Sequence, residues 1–136
     1  MASLQLELTS VTIGAPKPRE LASFYATLLN GEITADDPPS EGTPAEAGWA
    51  QVRTTSALGQ ITLNFEYEAQ WREPEWPSQP GEQHITQHLD IRVDDLSAAV
   101  VWAEDCGAAL DPYQPQESVR VMRDPAGHPF CLFLGE

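Results

Sequence analysis

The sequence predicts an α+β fold in which one unit, a strand, a helix and three further strands, occurs twice along the chain. Three features carry this. The stretch His88-Leu89-Asp90-Ile91-Arg92-Val93-Asp94-Asp95-Leu96 alternates like a half-buried strand and runs directly into a helix with an acidic cap. The tight turn Asp124-Pro125-Ala126-Gly127 launches a last apolar strand, Phe130-Cys131-Leu132-Phe133-Leu134. A fainter copy of the same order fills the N-terminal half. Two such units are expected to form a curved mixed sheet around a cleft, with the helices on the outer face.

Taken in order, Leu4, Leu6, Leu8, Val11 and Ile13 alternate, which predicts a first strand over Leu4–Ile13. Pro16 and Pro18 stop it, and Pro18 suits the first turn of a helix whose apolar face is Leu21, Ala22, Phe24, Tyr25, Leu28 and Leu29. Asn30-Gly31 ends that helix, being tolerant of left-handed geometry. Strands follow at Glu32–Ala35, Trp49–Thr54 and Gln60–Tyr67, with a loop over Asp36–Gly48 and a turn at Leu58-Gly59. The second unit repeats the scheme: His88–Val93, a helix capped by Asp94 or Asp95 and ended by Gly107, then strands near Leu110–Tyr113, Ser118–Arg123 and Phe130–Leu134. Aligning the halves pairs Ser10 with His88, Gly31 with Gly107 and Gly59 with Gly127. The expected organisation is one domain: a first module over about 4–67, a connector over about 68–85 and a second module over about 86–136. The connector is broken by Pro74, Pro77 and Pro80, so it reads as a linker or a lid.

Composition excludes several classes. At 136 residues the chain buries roughly two thirds of its unfolded surface as a single domain. Its net charge of −14 opposes non-specific nucleic-acid binding, which needs cations against phosphate, and disfavours an anionic membrane surface. No apolar run is long enough to span a bilayer. The alternating start, Met1 to Leu8, lacks a basic segment and reads as a strand, not a signal peptide, so a cytoplasmic location is expected. Cys106 and Cys131 form no paired motif and are expected to be reduced, buried small hydrophobes. No phosphate loop or nucleophile elbow is present.

Parity assigns the faces. Leu89, Ile91 and Val93 go under the second helix, which leaves His88, Asp90 and Arg92 opposite. Val11 and Ile13 are expected inside, with Ser10 and Thr12 opposite; Ile61, Leu63 and Phe65 inside, with Thr62, Asn64 and Glu66 opposite. The polar face is the expected cleft.

These residues resemble the vicinal oxygen chelate superfamily, which joins glyoxalases, bleomycin-resistance proteins and extradiol dioxygenases. The resemblance covers nearly the whole chain. It rests on Leu21-Ala22-Ser23-Phe24-Tyr25-Ala26-Thr27-Leu28-Leu29-Asn30-Gly31, on His88 to Leu96, and on Asp124-Pro125-Ala126-Gly127-His128-Pro129-Phe130. It is strongest to small glyoxalase-like domains with a Trp-Pro in the connector, here Trp76-Pro77. It implies paired βαβββ modules around a cleft, usually in a homodimer. In the enzymes it implies a divalent metal on four ligands: a His or Gln on the first strand of each module and a Glu on the last. Those positions fall at Ser10, Asn64, His88 and Cys131, and only His88 matches; a small shift of register would bring in Glu66.

Ser10 is a poor ligand, Asn64 offers a neutral carbonyl, and burial in an apolar strand opposes a Cys131 thiolate. No metal is therefore expected. Were Zn, Ni, Mn or Fe bound, His88 with Glu66 or Asp90 would hold it. The expected ligand-binding set is Ser10, Trp49, Asn64, Glu66, Trp71, Trp76, His88, Asp90, Arg92 and Cys131, with His88 and Glu66 the candidates for catalysis. Blander roles stand beside these: His88 bonded to Asp90, Arg92 paired with Asp90 or Asp94, Tyr25 and Phe65 in the core, and His128 exposed in its turn. The leading expectation is metal-independent binding of a small organic molecule, aromatic or cationic, for sequestration, resistance or sensing. The alternative is a metal-dependent lyase, isomerase or dioxygenase resembling glyoxalase I, with Glu66 moving the proton. A scaffold with a vestigial cleft is the third.

Overall fold

Each half of the chain builds its own four-stranded sheet, and the two share a single apolar core. The computed structural model describes residues 4–135. The first half comprises β1 (Val11–Ala15), α1 (Pro18–Leu28), β2 (Glu32–Asp37), β3 (Trp49–Ser56) and β4 (Gly59–Tyr67), in the sheet order β1-β4-β3-β2. The second comprises β5 (Leu89–Val93), α2 (Leu96–Cys106), β6 (Ala109–Leu110), β7 (Val119–Arg123) and β8 (Pro129–Leu134), in the equivalent order β5-β8-β7-β6. In both, first and last strands run parallel, joined through the helix, and the rest pair antiparallel. The fold is α+β, built of two βαβββ modules.

Local chemistry sets the helix ends. Asp95 accepts a hydrogen bond from the Ala98 amide at 3.0 Å and caps α2. Both helices stop in the same way. Asn30 takes φ 52° and Gly107 φ 119°; behind each, the next amide reaches back six residues, Gly31 N to Ala26 O at 2.8 Å and Ala108 N to Ala103 O at 2.9 Å. The structural equivalent of Gly107 is therefore Asn30, one residue before the glycine that the sequence alignment selects.

The alternation of Leu4, Leu6 and Leu8 does not become strand. These side chains are 87%, 89% and 91% exposed, and residues 4–10 carry no ladder; Met1, Ala2 and Ser3 lie outside the described residues. Alternation yields a strand only where a neighbour exists, and β4 offers β1 only Leu63–Tyr67. For the same reason Val11 and Ile61 are not inside. The expected strand through Tyr113 stops at Leu110: the buried Asp111 turns the chain by accepting from the Tyr113 amide at 2.8 Å, and Pro112 has no amide to donate.

Tyr25, Phe65, Phe130, Leu21, Met122, Leu132 and Val52 fill the core. Tyr25 stacks on Phe65 with ring centroids 5.7 Å apart and meets Phe130 edge-on at 6.1 Å, so α1 touches both sheets. No ladder joins β1 to β5. The seam is closed by side chains instead. Asp124, whose side chain is fully buried, accepts from Tyr25 OH at 2.7 Å, His128 Nδ1 at 2.8 Å, and the amides of Ala126 and His128 at 2.9 and 3.0 Å. His128 Nε2 in turn lies 2.9 Å from the carbonyl of Gly14 on β1. Both ring nitrogens face acceptors, and only a ring carrying a proton on each satisfies both. Burial first, then the Asp124 charge and hydrogen bond, hold the Tyr25 phenol well above its ordinary range, so it remains a donor. His128 is thus a clasp between modules and not an exposed turn residue.

Replacing Tyr25 by Phe should cost about 1–3 kcal/mol, the desolvation cost of a buried carboxylate short of a donor. Asp124→Ala should cost more, about 3–5 kcal/mol, because it strands the His128 charge. Urea unfolding measures both; a change below about 0.5 kcal/mol for Asp124→Ala, the range of unremarkable surface substitutions, would show that the clasp does not hold the modules.

Candidate ligand-binding site

Because β1 and β5 are both edge strands of separate sheets, a gap remains between them. It forms a cleft of about 780 Å³, walled by Thr12 and Gly14 of β1, Glu66 of β4, His88 beside β5, and Glu68, Trp71 and His128. This is within the range of small-molecule sites, about 300–1,000 Å³. Among the described residues, no Lys or Arg lines it.

On the first sheet, the positions where the resemblance implies ligands have become an uncharged ladder. Thr34 Oγ1 donates to Gln51 Oε1 at 2.8 Å, Gln51 Nε2 to Asn64 Oδ1 at 2.9 Å, and Asn64 Nδ2 to Ser10 Oγ at 3.0 Å. The register places Gln51 opposite Asn64 and Asn64 opposite Thr12, which brings these side chains to one face. Ser10 and Asn64 therefore satisfy each other. Gln51 and Thr34 were missed from sequence; their signal was parity on β3, where Trp49 and Gln51 alternate with buried Ala50 and Val52.

On the second sheet the same positions differ in kind. Asp90 stands opposite Cys131 as Thr12 stands opposite Asn64, so His88, Asp90 and Cys131 are the counterparts of Ser10, Thr12 and Asn64. His88 Nε2 lies 3.1 Å from Asp90 Oδ1, and one donor atom from each of the three residues falls within 4.8 Å of the others. Glu66 does not join this group; it faces Gly14 and Trp49 across its own sheet. Cys131 is half-buried on the open face, not sealed in the core, because Phe130 and Leu132 take the inward parity. Partial burial, followed by the charge and hydrogen bond of Asp90, pushes its thiol above the ordinary cysteine range.

The remaining candidates divide. Trp71 donates its indole N–H to Ala126 O at 3.1 Å and packs on the His128 ring at 4.5 Å, which fixes it in the cleft wall. Trp49 is half-buried opposite Glu66. Trp76, joined to Pro77 by a cis bond, packs edge-on against Tyr113 away from the cleft, with its N–H buried and unpartnered. Arg92 is exposed and forms no ion pair among the described residues; its side chain runs beside Gly135. The connector is no loose lid. Arg123 donates to Pro74 O at 2.8 Å and Gly127 O at 3.0 Å, bonds Asp111 Oδ2 at 2.9 Å and sits 3.5 Å from Glu73, strapping the connector over the β7–β8 turn. Gly127, at φ 97°, has Glu73 where a Cβ would go.

Twin βαβββ modules with a cleft along their seam define the class: a paired-module α+β protein. Residues 10–133 match the glyoxalase-like domain, and the chain belongs to that family, within the superfamily its sequence resembles. It superposes on the fosfomycin resistance protein FosX from Listeria monocytogenes, complexed with Mn(II) and 1S,2S-dihydroxypropylphosphonic acid, at a TM-score of 0.67 and 12% identity, over 98% of this chain and 95% of that one. FosX from Mesorhizobium loti gives 0.65 and 12%, over 98% and 94%. TnmS3, an antibiotic-binding protein from a Streptomyces species, gives 0.55 and 19%, over 98% and 100%. Likeness at this identity is likeness of fold. No curated protein matches the sequence significantly. No described helix is long and apolar enough to cross a membrane.

The raised Cys131 thiol should react with iodoacetamide more slowly than a free cysteine at neutral pH, and Asp90→Asn should speed it by removing the charge that disfavours the thiolate. Mass-spectrometric labelling of Cys131 reads this; labelling as fast as glutathione would contradict it.

Proposed function

We propose that the seam cleft captures a small planar organic cation, and that capture requires no ion shared between the two modules. The observation that carries this is the cleft wall itself: the carboxylates of Glu66 and Glu68, the anchored indole of Trp71 and no lining Lys or Arg. An aromatic face beside carboxylates attracts a flat cation through stacking and cation–π contact, and the attraction grows as water is displaced. The saturated Ser10–Asn64–Gln51 ladder supports ion-free capture, since it presents no anionic donor from the first module. FosX is a resistance protein and TnmS3 an antibiotic-binding protein, which favours sequestration or resistance as the purpose.

A metal-dependent lyase, isomerase or dioxygenase is the second reading, favoured by one observation: His88, Asp90 and Cys131 supply imidazole, carboxylate and thiol donors to one spot. An ion held there would supply Lewis-acid polarisation of a bound carbonyl. Glu66, exposed in the cleft wall, would move the proton. For either reading we infer a cytoplasmic homodimer, supported by the apolar side chains of Leu4, Leu6 and Leu8 that this chain leaves uncovered.

Calorimetric titration with planar cations, ethidium among them, and shape-matched anions tests the first reading. Cations should bind and anions should not. Trp71→Ala should weaken binding about tenfold or more, about 1.4 kcal/mol, and the double change Glu66→Gln with Glu68→Gln should do the same. Equal binding of anions, or affinity unaltered in Trp71→Ala, would reject it.

A further inference from the structure

The two sheets carry equivalent positions with opposite chemistry, and this asymmetry points to an ion. We propose that His88, Asp90 and Cys131 form a metal-binding face contained wholly in the second module, which selects a borderline-soft divalent ion such as Zn(II) over the hard ions Mn(II) and Mg(II). The inference stands apart from organic capture, since it concerns the ion alone.

Geometry supplies the first support. His88 and Asp90 are two residues apart on β5 and so share a face, and Cys131 of β8 is the direct cross-strand neighbour of Asp90. Their donor atoms lie within 4.8 Å, with His88 Nε2 and Asp90 Oδ1 already 3.1 Å apart. Donors around a tetrahedral Zn(II) stand about 3.3–3.7 Å apart, given bonds of about 2.0–2.3 Å. The widest gap therefore closes by about an ångström, and the side chains of His88 and Asp90, 41% and 58% exposed, are free to rotate by that much.

Donor chemistry supplies the second. A nitrogen, an oxygen and a sulfur suit Zn(II) or Co(II), whereas Mn(II) and Mg(II) favour all-oxygen shells. The first module cannot harden the site. Its counterparts Ser10, Thr12 and Asn64 are neutral and hydrogen-bonded to one another. Three protein ligands leave a fourth position open to solvent or ligand. The nearest cation on that face, Arg92, runs beside Gly135 and makes no ion pair with Asp90 among the described residues.

Co(II) titration of chelator-treated protein is the test. One equivalent should give a near-ultraviolet sulfur-to-cobalt charge-transfer band, displaced by Zn(II) and untouched by a hundredfold excess of Mn(II). Cys131→Ser should abolish the band and Cys106→Ser should keep it. His88→Ala and Asp90→Asn should weaken Zn(II) binding at least tenfold, while Ser10→Ala and Asn64→Ala leave it unchanged. In the unaltered protein, Zn(II) should shield Cys131 from alkylation, a readout that does not depend on any variant folding. No band with Co(II), a band that survives Cys131→Ser, displacement by Mn(II), or absence of shielding would each overturn the proposal. Ion binding without organic capture, or the reverse, would separate the two readings.

Discussion

The buried carboxylate of Asp124 is the constraint on which the two-module arrangement depends. No backbone ladder crosses the seam, so the relation between the sheets is set by side chains, and Asp124 gathers most of them. It ties α1 through Tyr25, and β1 through the His128 ring and Gly14 O. A buried carboxylate costs several kcal/mol unless its lone pairs are met. Here two amides, a phenol and an imidazole meet them, which fixes one geometry for the seam. The Trp71 ring then rests on His128, so the clasp also shapes the cleft wall. Stability and site architecture share the same atoms.

Much of the fold was legible because it depends on local rules. Parity on β5 put His88, Asp90 and Arg92 on the open face, and the Asp95 cap and Gly107 stop bounded α2 as written. The equivalence of Ser10 with His88, and of Asn64 with Cys131, is reproduced by the strand register. What failed needed a partner to be known. Leu4, Leu6 and Leu8 alternate as a strand does, yet nothing in the chain pairs with them. Periodicity describes what a segment tolerates; the neighbouring strand decides what it becomes.

The long-range polar contacts were illegible for a related reason. His128 reads as a turn residue because its partners Gly14 and Tyr25 are more than a hundred positions away. Arg123 was passed over as the end of a strand, yet it straps the connector through four groups. The expectation that Glu66 would be the carboxylate beside His88 gave way to Asp90, because a neighbour two residues along the same strand outweighs one on the other sheet. Cys131, expected among buried hydrophobes, faces outward because Phe130 and Leu132 claim the core.

The two open faces now carry different chemistry on one scaffold. The first is a closed circuit of amides and hydroxyls, suited to shape and hydrogen bonding; the second is a cluster of ionisable donors. Between them, the cleft gathers aromatic and anionic surface into a small volume, which separates a specific site from the diffuse attraction of a chain with net charge −14. Backbone amide shift mapping with ethidium tests that distinction most directly. The account predicts the largest shifts at Gly14, Glu66, His88 and the Trp71 indole, persisting at high salt. Shifts spread over the acidic surface and lost with salt, or centred on Trp102 at the outer helix face, would contradict it.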